Sequence, residues 1–457
     1  MGPYRRRTLW HDSAGLSSRW FPAPWSTPWP SCGGMDPPPV RSQTSSGGCF
    51  PGGRPSGHCR IDRWRPKPGM TPQGAVLVFW SSVALIAYGY LGYPVLVYLL
   101  GRLRGRPHLR EEITPRISLL VPAYNEGAVV RAKIHNCTQL DYPREQLEVF
   151  MASDGSTDGT SELIAEAGNA GLLRGVVYQQ RRGKAAVLND LVAMASGEIL
   201  VFSDASTMLD RGSLRALASN FADTRVGCVS GIYRVVPGDR QGSGGAEAVY
   251  WRYETFIRHA EARLGSMLGA HGALYAIRRE LFEPLEAGTR NEDFILPVII
   301  LMKGYRSVYD IRAVATEDAG EMTGFSRRVS LAAGNYQQMA LLWKRGGWLR
   351  KPFLVFQLWS HKGLRLVTPL LLLGMYLSNL WLVSSAGYRA VFAAQTVFFT
   401  AALLGALPRL RRWGRALVAA PYYFCMAHAA GVVALHRMMW GKTFAGQRAP
   451  SLLSHRK

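Results

Sequence analysis

Acidic side chains are scarce in this 457-residue chain: 31 Asp and Glu stand against 54 Lys and Arg, a formal net charge of +23. An imbalance of that size points to an anionic partner, whether nucleic acid, an anionic membrane face or a phosphorylated substrate. Cysteine is sparse too. Its six positions, Cys32, Cys49, Cys59, Cys137, Cys228 and Cys425, are scattered with no CxxC pair, so neither a disulfide framework nor a zinc site is indicated. No internal repeat is evident, and the N-terminus lacks the short apolar core and small-residue cleavage site of a signal peptide. No nucleic-acid-binding motif appears, and the arginines gather elsewhere, beside apolar runs.

Those runs are what the chain does have. Residues 75–100 contain no charge and are long enough to cross a bilayer, and Arg102, Arg104, Arg106 and Arg110 follow as a cytoplasmic flank would. Pro94 is tolerable there as a kink. Residues 1–69 differ in kind, being rich in Pro, Gly, Ser, Trp and Arg without apolar periodicity. They read as a disordered tail or as a non-native extension ahead of a start at Met70. A membrane helix with its basic flank then covers 70–115, a soluble α/β domain 116–343, and a membrane region 344–457. In the last, 348–359 is aromatic with basic flanks and reads as an interfacial helix. Residues 366–384 and 390–407 read as spans, and Arg409, Arg411, Arg412 and Arg415 as an inside cluster. The stretch 416–435 carries Pro421, Tyr422, Tyr423 and His428 and is expected to be re-entrant or to pack without a full crossing, leaving the basic C-terminus inside.

Between the membrane segments, apolar runs at 117–121, 147–152, 176–179 and 199–203 alternate with helical patterns at 128–136, 158–167 and 184–194. Such alternation predicts a mostly parallel sheet covered on both faces, with its ligand beyond the carboxyl ends of the strands. Tyr124, Asp154 and Asp204 each follow a strand end. Asp154-Gly155-Ser156-Thr157-Asp158 leaves a buried strand and opens a helix, a setting in which a carboxylate can accept from a base or ribose. Asp158 reads equally as a helix-start residue favoured by the dipole. Arg181, Arg182 and Lys184 surround Gly183 at a loop-to-helix junction, which suits a diphosphate. In Val121-Pro122-Ala123-Tyr124-Asn125-Glu126, Tyr124 is placed to pack on a planar base, and Glu126 either accepts from the ribose or caps the next helix.

These segments, together with Ser203-Asp204-Ala205-Ser206 and Asn291-Glu292-Asp293, stand in the order found in the family 2 glycosyltransferases. The chain resembles those inverting enzymes, which include cellulose, chitin and hyaluronan synthases, over roughly 116–338. The resemblance implies a Rossmann-like GT-A nucleotide-sugar domain flanked by transmembrane helices, and a nucleoside diphosphate sugar donor, UDP-linked by preference. By the same resemblance Ala123, Tyr124, Glu126, Asp154, Lys184 and Asp204 bind the donor. Asp204 and Ser206 hold Mg²⁺ or Mn²⁺ in place of the family's Asp-x-Asp, and the missing second carboxylate leaves the diphosphate to deliver the ion. Asp293 takes the base position, with Glu292 orienting it or raising its pKa. Arg328 lies where the processive enzymes carry Gln-x-x-Arg-Trp, and it can neutralise the leaving diphosphate. The absent Trp speaks against long-chain processive synthesis. His271-Gly272-Ala273 resembles the acceptor-side Gly-Ala motif, with His271 either structural or an acceptor contact. Segments 334–338 and 360–365 look like the gating and interface segments of a membrane-bound subgroup.

The implied protein is a multi-pass cell-membrane enzyme with a cytoplasmic catalytic domain. It moves a hexose or N-acetylhexosamine to a polysaccharide or lipid-linked acceptor, with an envelope polysaccharide complex as a further partner. A polyprenyl-phosphate glycosyltransferase, which hardly needs a base, is the enzymatic rival. An inactive envelope-complex scaffold and a basic nucleic-acid-binding protein are the others.

Overall fold

The computed structural model describes residues 71–236, 244–318, 325–407, 409–410 and 415–440. The expectations for 1–69, the Met70 start and the basic C-terminal tail lie outside them.

An eight-stranded sheet with helices on both faces forms the α/β unit. Its strands are β1 (Ile117–Ala123), β2 (Leu147–Asp154), β3 (Arg174–Tyr178), β4 (Ile199–Phe202), β5 (Met208–Leu209), β6 (Val226–Val236), β7 (Tyr275–Arg278) and β8 (Arg306–Asp318), in the order β3-β2-β1-β4-β7-β6-β8-β5. β1 is parallel to β2 and β4, and β2 to β3. This half follows the sequence pattern. The other half is mixed: β7 runs antiparallel to β4 and β6, β5 runs antiparallel to β8, and β6 runs parallel to β8.

The near-continuous apolar runs suit strands buried on both faces. Leu120, Phe150, Leu200 and Phe202 pack to one side, and Leu119, Val121, Met151 and Val201 to the other, the period-two alternation of a strand. Because β1 sits between β2 and β4, its carboxyl end is the switch point at which open α/β sheets bind ligands. The exits of β1, β2 and β4 therefore bring Tyr124, Asp154 and Asp204 to one edge.

The helices around this edge are α3 (Val130–Thr138), α4 (Thr160–Asn169), α5 (Lys184–Met194), α6 (Ser213–Ser219), α7 (Gly244–Leu264), α8 (Glu292–Met302) and α9 (Phe325–Arg345). Among the described residues, four stretches outside the α/β unit are long and apolar enough to cross a membrane: Pro72–Leu103, Pro352–Leu382, Ala386–Leu404 and Leu417–Met439. The first joins α1 (Pro72–Ala87) to α2 (Tyr93–Leu103) through a π turn at Tyr88–Gly92. Pro94 falls in the first turn of α2, where a missing amide is tolerated.

The C-terminal elements differ from the expected ones in two details. Residues 348–359 are not a separate interfacial helix. Trp348–Arg350 is a 3₁₀ turn whose Trp348 is buried with Leu342, Leu354 and Leu358 in the core. From Pro352 the chain is helical through α10 (Pro352–Gln357), a π turn at Leu358–Gly363 and α11 (Leu364–Leu382). Trp348, Leu354 and Leu358 pack on the α/β unit, while Leu349, Phe353 and Trp359 remain exposed. The last stretch, α13 (Arg415–Met439), following α12 (Ala386–Leu404), is one continuous helix of 25 residues with Pro421 in its second turn; of the two arrangements expected it has the packing on other helices, not the re-entrant form. Its Ala430, Ala434 and Met438 pack on Val329 and Ala333 of α9.

A buried polar cluster fixes α7 to two of these stretches. Glu261 accepts from Tyr93 Oη (2.5 Å) and from the Leu268 amide (3.1 Å), and lies 2.8 Å from His361 Nδ1. Glu254 pairs with Arg365, and its second oxygen lies 3.4 Å from His361 Nε2. Carboxylates this deep are tolerable only with such partners.

Candidate active site

Two asparagines with left-handed backbone mark the site, Asn125 (φ 55°) and Asn291 (φ 52°). Such positions are uncommon outside glycine and concentrate at functional loops. Asn125 ties the β1 exit to the β2 exit: its Oδ1 accepts from the Thr157 amide (2.9 Å), and its own amide donates to Ser156 Oγ (3.1 Å). Ala123 is buried at the end of β1. Tyr124 is 37% exposed, and the Arg181 guanidinium lies 3.9 Å from its ring centroid. A base can stack there only on the ring face Arg181 leaves open, or after Arg181 moves. The Glu126 carbonyl accepts from the Val129 and Val130 amides and so starts α3. Asp158 accepts from the Gly127 amide (2.8 Å) and from the Thr160 amide (3.2 Å), the helix-start role.

Asp154 is buried and bound by backbone. It accepts from the Arg182 amide (2.6 Å) and the Gly183 amide (2.8 Å), one to each oxygen. Gly183 has φ +91°, a conformation few other residues adopt, and it lets both amides converge. Arg182 itself turns to Asp190 and Tyr178. That leaves Lys184, at the first turn of α5, to reach the centre. Its Nζ lies 2.7 Å from Asp204 Oδ1 and 2.6 Å from Glu292 Oε1. Burial works to lower the Lys184 pKa, but the two carboxylates outweigh it and hold the ammonium well above the ordinary lysine value.

The loop bearing Asp204 is anchored from beneath by Lys133, which sequence reasoning missed. Its fully buried ammonium donates to Ser203 Oγ (2.7 Å) and the Thr207 carbonyl (2.6 Å), and burial brings its pKa down to about 8. Ser206 lies half-buried on the same loop. Among the described residues, no group of three or more His, Cys, Asp or Glu is arranged to hold a metal ion. One carboxylate with a neighbouring hydroxyl nevertheless fits a hard cation whose other ligands are phosphate oxygens and water.

Opposite stands Asp293, in the first turn of α8. Its Oδ2 accepts from the Gly272 amide (2.9 Å), and its carbonyl accepts from the Ala270 amide (2.6 Å). A Cβ on residue 272 would lie 3.4 Å from Oδ2 of both Asp204 and Asp293, so these carboxylates flank Gly272. Burial, and then the neighbouring Glu292 charge, push the Asp293 pKa up to about 6. The Glu292–Asp293 turn is clasped by α9. Gln337 accepts from the Arg290 amide (2.9 Å) and donates to the Gly288 carbonyl (3.0 Å), and Asn291 donates to Asn335 Oδ1 (3.1 Å). Segment 334–338 thus holds the loop that leads into Glu292 and Asp293. Arg328, also on α9, lines the same cavity, while the following Val329 is buried against α13.

Around His271 stand residues that the motifs did not single out. His271 stacks on Tyr233 (centroids 4.3 Å apart) and meets Trp251 edge-on (4.4 Å). Burial pushes the His271 pKa well below its ordinary value, so the ring is neutral. Arg258 donates to the Ala270 carbonyl (2.8 Å), and Tyr233 Oη donates to Glu317 (2.5 Å). Thr316-Glu317-Asp318 repeats the Glu-Asp pair of 291–293 and was a legible signal. The aromatic-charged run 250–254 was another. All of this surrounds one cavity of about 1940 Å³ that runs from Lys184 and Asp204 to the faces of α11 and α13.

Residues 118–285 match the model for Glycosyl transferase family 2. The chain is 26% identical over 289 residues to the beta-monoglucosyldiacylglycerol synthase of Nostoc sp., covering 58% of this chain and 59% of that one. It is 31% identical over 134 residues to the poly-beta-1,6-N-acetyl-D-glucosamine synthase of Staphylococcus aureus, 29% and 32% of the two chains. It thus spans about three fifths of the Nostoc enzyme and a third of the staphylococcal one. Among solved structures, the mannosyltransferase of Pyrobaculum calidifontis in complex with GDP-Man and Mn²⁺ superposes with a TM-score of 0.62 at 25% identity, over 80% of this chain and all of that one. The chain carries a family 2 glycosyltransferase domain with the GT-A fold.

Proposed function

We propose that this family 2 domain works as an inverting glycosyltransferase in a multi-pass membrane protein. It takes a hexose or N-acetylhexosamine from a nucleoside diphosphate sugar, UDP-linked by preference, to a polysaccharide or lipid-linked acceptor. The observation that carries the reading is Asp293: a carboxylate with its pKa raised to about 6, held by the Gly272 amide and facing Asp204 across that glycine. A group of that basicity can take a hydroxyl proton near neutral pH.

Asp154 orders the Arg182–Lys184 loop, Tyr124 and Arg181 receive the base, and Lys184 and Arg328 meet the diphosphate. Asp204 and Ser206 would hold Mg²⁺ or Mn²⁺ jointly with that diphosphate, and the ion would offset the charge of the leaving group. The acceptor oxygen bonds to C1 of the sugar as the C1–diphosphate bond breaks, and its proton passes to Asp293. The aromatic wall of Tyr233, Trp251 and His271 excludes water on the acceptor side. Nucleotide sugars are made in the cytoplasm, and the Arg102–Arg110 flank supports a cytoplasmic α/β unit. An envelope polysaccharide complex is a fitting setting.

The Pyrobaculum enzyme, solved with GDP-Man and Mn²⁺, supports donor and metal use, and the names of the relatives support both acceptor classes. The retained base weighs against a polyprenyl-phosphate acceptor, whose phosphate oxygen needs no deprotonation. The test is a screen of UDP- and GDP-sugars with detergent-purified full chain, with Mn²⁺ or chelator, scoring nucleoside diphosphate release. Release with no donor in any condition contradicts the reading.

A further inference from the structure

The cavity does not end at the catalytic carboxylates. It continues past Lys362 and Arg365 to Leu366 and Pro369 of α11 and to one face of α13. On that face Ala420, Ala427 and Gly431 recur at helical spacing beside the larger Tyr423, Phe424 and His428, so that space remains along the strip of small side chains. The wall is polar beside Asp204 and Asp293 and apolar between the candidate membrane helices, the lining a molecule with a charged head and a hydrocarbon tail requires.

Lys362 stands at the junction. Its neighbours are neutralised, Arg365 by Glu254 and Lys184 by Asp204 and Glu292. Lys362 makes no hydrogen bond or contact ion pair among the described residues, although Glu254 and Glu261 act on it at longer range, and its ammonium lies 5.8 Å from the ring centroid of Phe294, next to Asp293. A partly buried ammonium without a counter-charge in contact is costly until an anion meets it.

Resting on the glycosyltransferase reading above, we propose that the acceptor is a membrane phospholipid with a free hydroxyl in its headgroup. Its tail lies in the groove between α11 and α13, its phosphate meets Lys362, and its hydroxyl reaches Asp293. In the step, the hydroxyl oxygen bonds to C1 of the sugar, the C1–oxygen bond to the diphosphate breaks with its electron pair leaving on the diphosphate, and the hydroxyl proton goes to Asp293. The products are a glycosylated phospholipid and a nucleoside diphosphate. A hydroxyl nucleophile gives Asp293 a role that a polyprenyl phosphate would not.

The test offers the detergent-purified full chain labelled UDP- and GDP-hexoses with mixed micelles of phosphatidylglycerol, diacylglycerol or polyprenyl phosphate, or with a soluble oligosaccharide. Label is expected in phosphatidylglycerol. Lys362→Glu should raise its KM about tenfold or more, the scale of a charge-assisted contact, and should move the diacylglycerol KM far less. A phosphatidylglycerol with a photoreactive group in its tail should label residues 415–439 without turnover, and Ala427→Phe should reduce that labelling. Transfer only to oligosaccharide, diacylglycerol or polyprenyl phosphate overturns the proposal, as does labelling that misses 415–439. Donor binding by calorimetry without acceptor stands or falls with the transferase reading alone, so the two failures are distinguishable.

Discussion

The backbone amide of Gly272 and Oδ2 of Asp293 lie 2.9 Å apart, joining the loop before β7 to the first turn of α8. This hydrogen bond favours the ionised carboxylate. Burial and the Glu292 charge oppose it and prevail, leaving a pKa of about 6. In the mechanism proposed above, the active form is the deprotonated one. The rate should therefore fall about tenfold per pH unit below 6 and level off above it, measured as nucleoside diphosphate release at constant ionic strength. A flat profile from pH 5 to 8 removes Asp293 as the titrating base.

Lys184 acts on the same titration. Its positive charge lowers the Asp293 pKa against the larger effects of burial and Glu292. Lys184→Met leaves Asp204 and Glu292 without their shared cation, so the acid limb should move above pH 6, with weaker donor binding. An unmoved midpoint in the residual activity shows that the two charges are not coupled.

Asp204→Ala should abolish metal-dependent donor binding, because Ser206 offers a hydroxyl and no charge. Ser206→Asp should preserve binding or tighten it for Mn²⁺. Titration of donor with and without chelator checks both. Wild-type binding that ignores chelator contradicts the metal assignment.

Gly334 of α9 lies against Asn291, and a Cβ there would come 2.5 Å from the Asn291 side chain. Gly334→Ala should push the strained Asn291 and the turn after it out of place. The expected result is a rate loss of about tenfold or more, on the scale of a misplaced catalytic group, with donor affinity little changed. Wild-type rates would mean that the clasp does not position Asp293.

The N-terminal half of the sheet was legible because its strands are short apolar runs separated by clear helical patterns. Lys184–Met194 has the same bounds in sequence and structure. β6 and β8 were not, since their pairing joins residues some 80 positions apart and leaves no local signature. The motif residues Asp154, Lys184, Asp204, Glu292 and Asp293 meet at one edge, yet their division of labour was hidden. Asp154 is spent on backbone amides, and Lys184 on two carboxylates. Lys133 gave no signal, as a lone lysine in an amphipathic helix reads as exposed. Trp348 misled for the converse reason: an aromatic residue among basic ones suits a headgroup layer, but tertiary packing buried it.

The most direct test is Asp293→Asn beside wild type, with donor affinity and turnover measured on the same detergent-purified protein. The amide can still accept from Gly272, so the loop should hold. A carboxylate whose pKa is raised by folding costs stability once ionised. Well above pH 6 the variant should therefore be more stable than wild type, by on the order of 3 kcal/mol, with the gain vanishing as the pH falls toward 4. Turnover should drop by about a hundredfold or more with donor affinity near wild type. Near-normal turnover in a folded, donor-binding Asp293→Asn protein would contradict the role assigned to this residue.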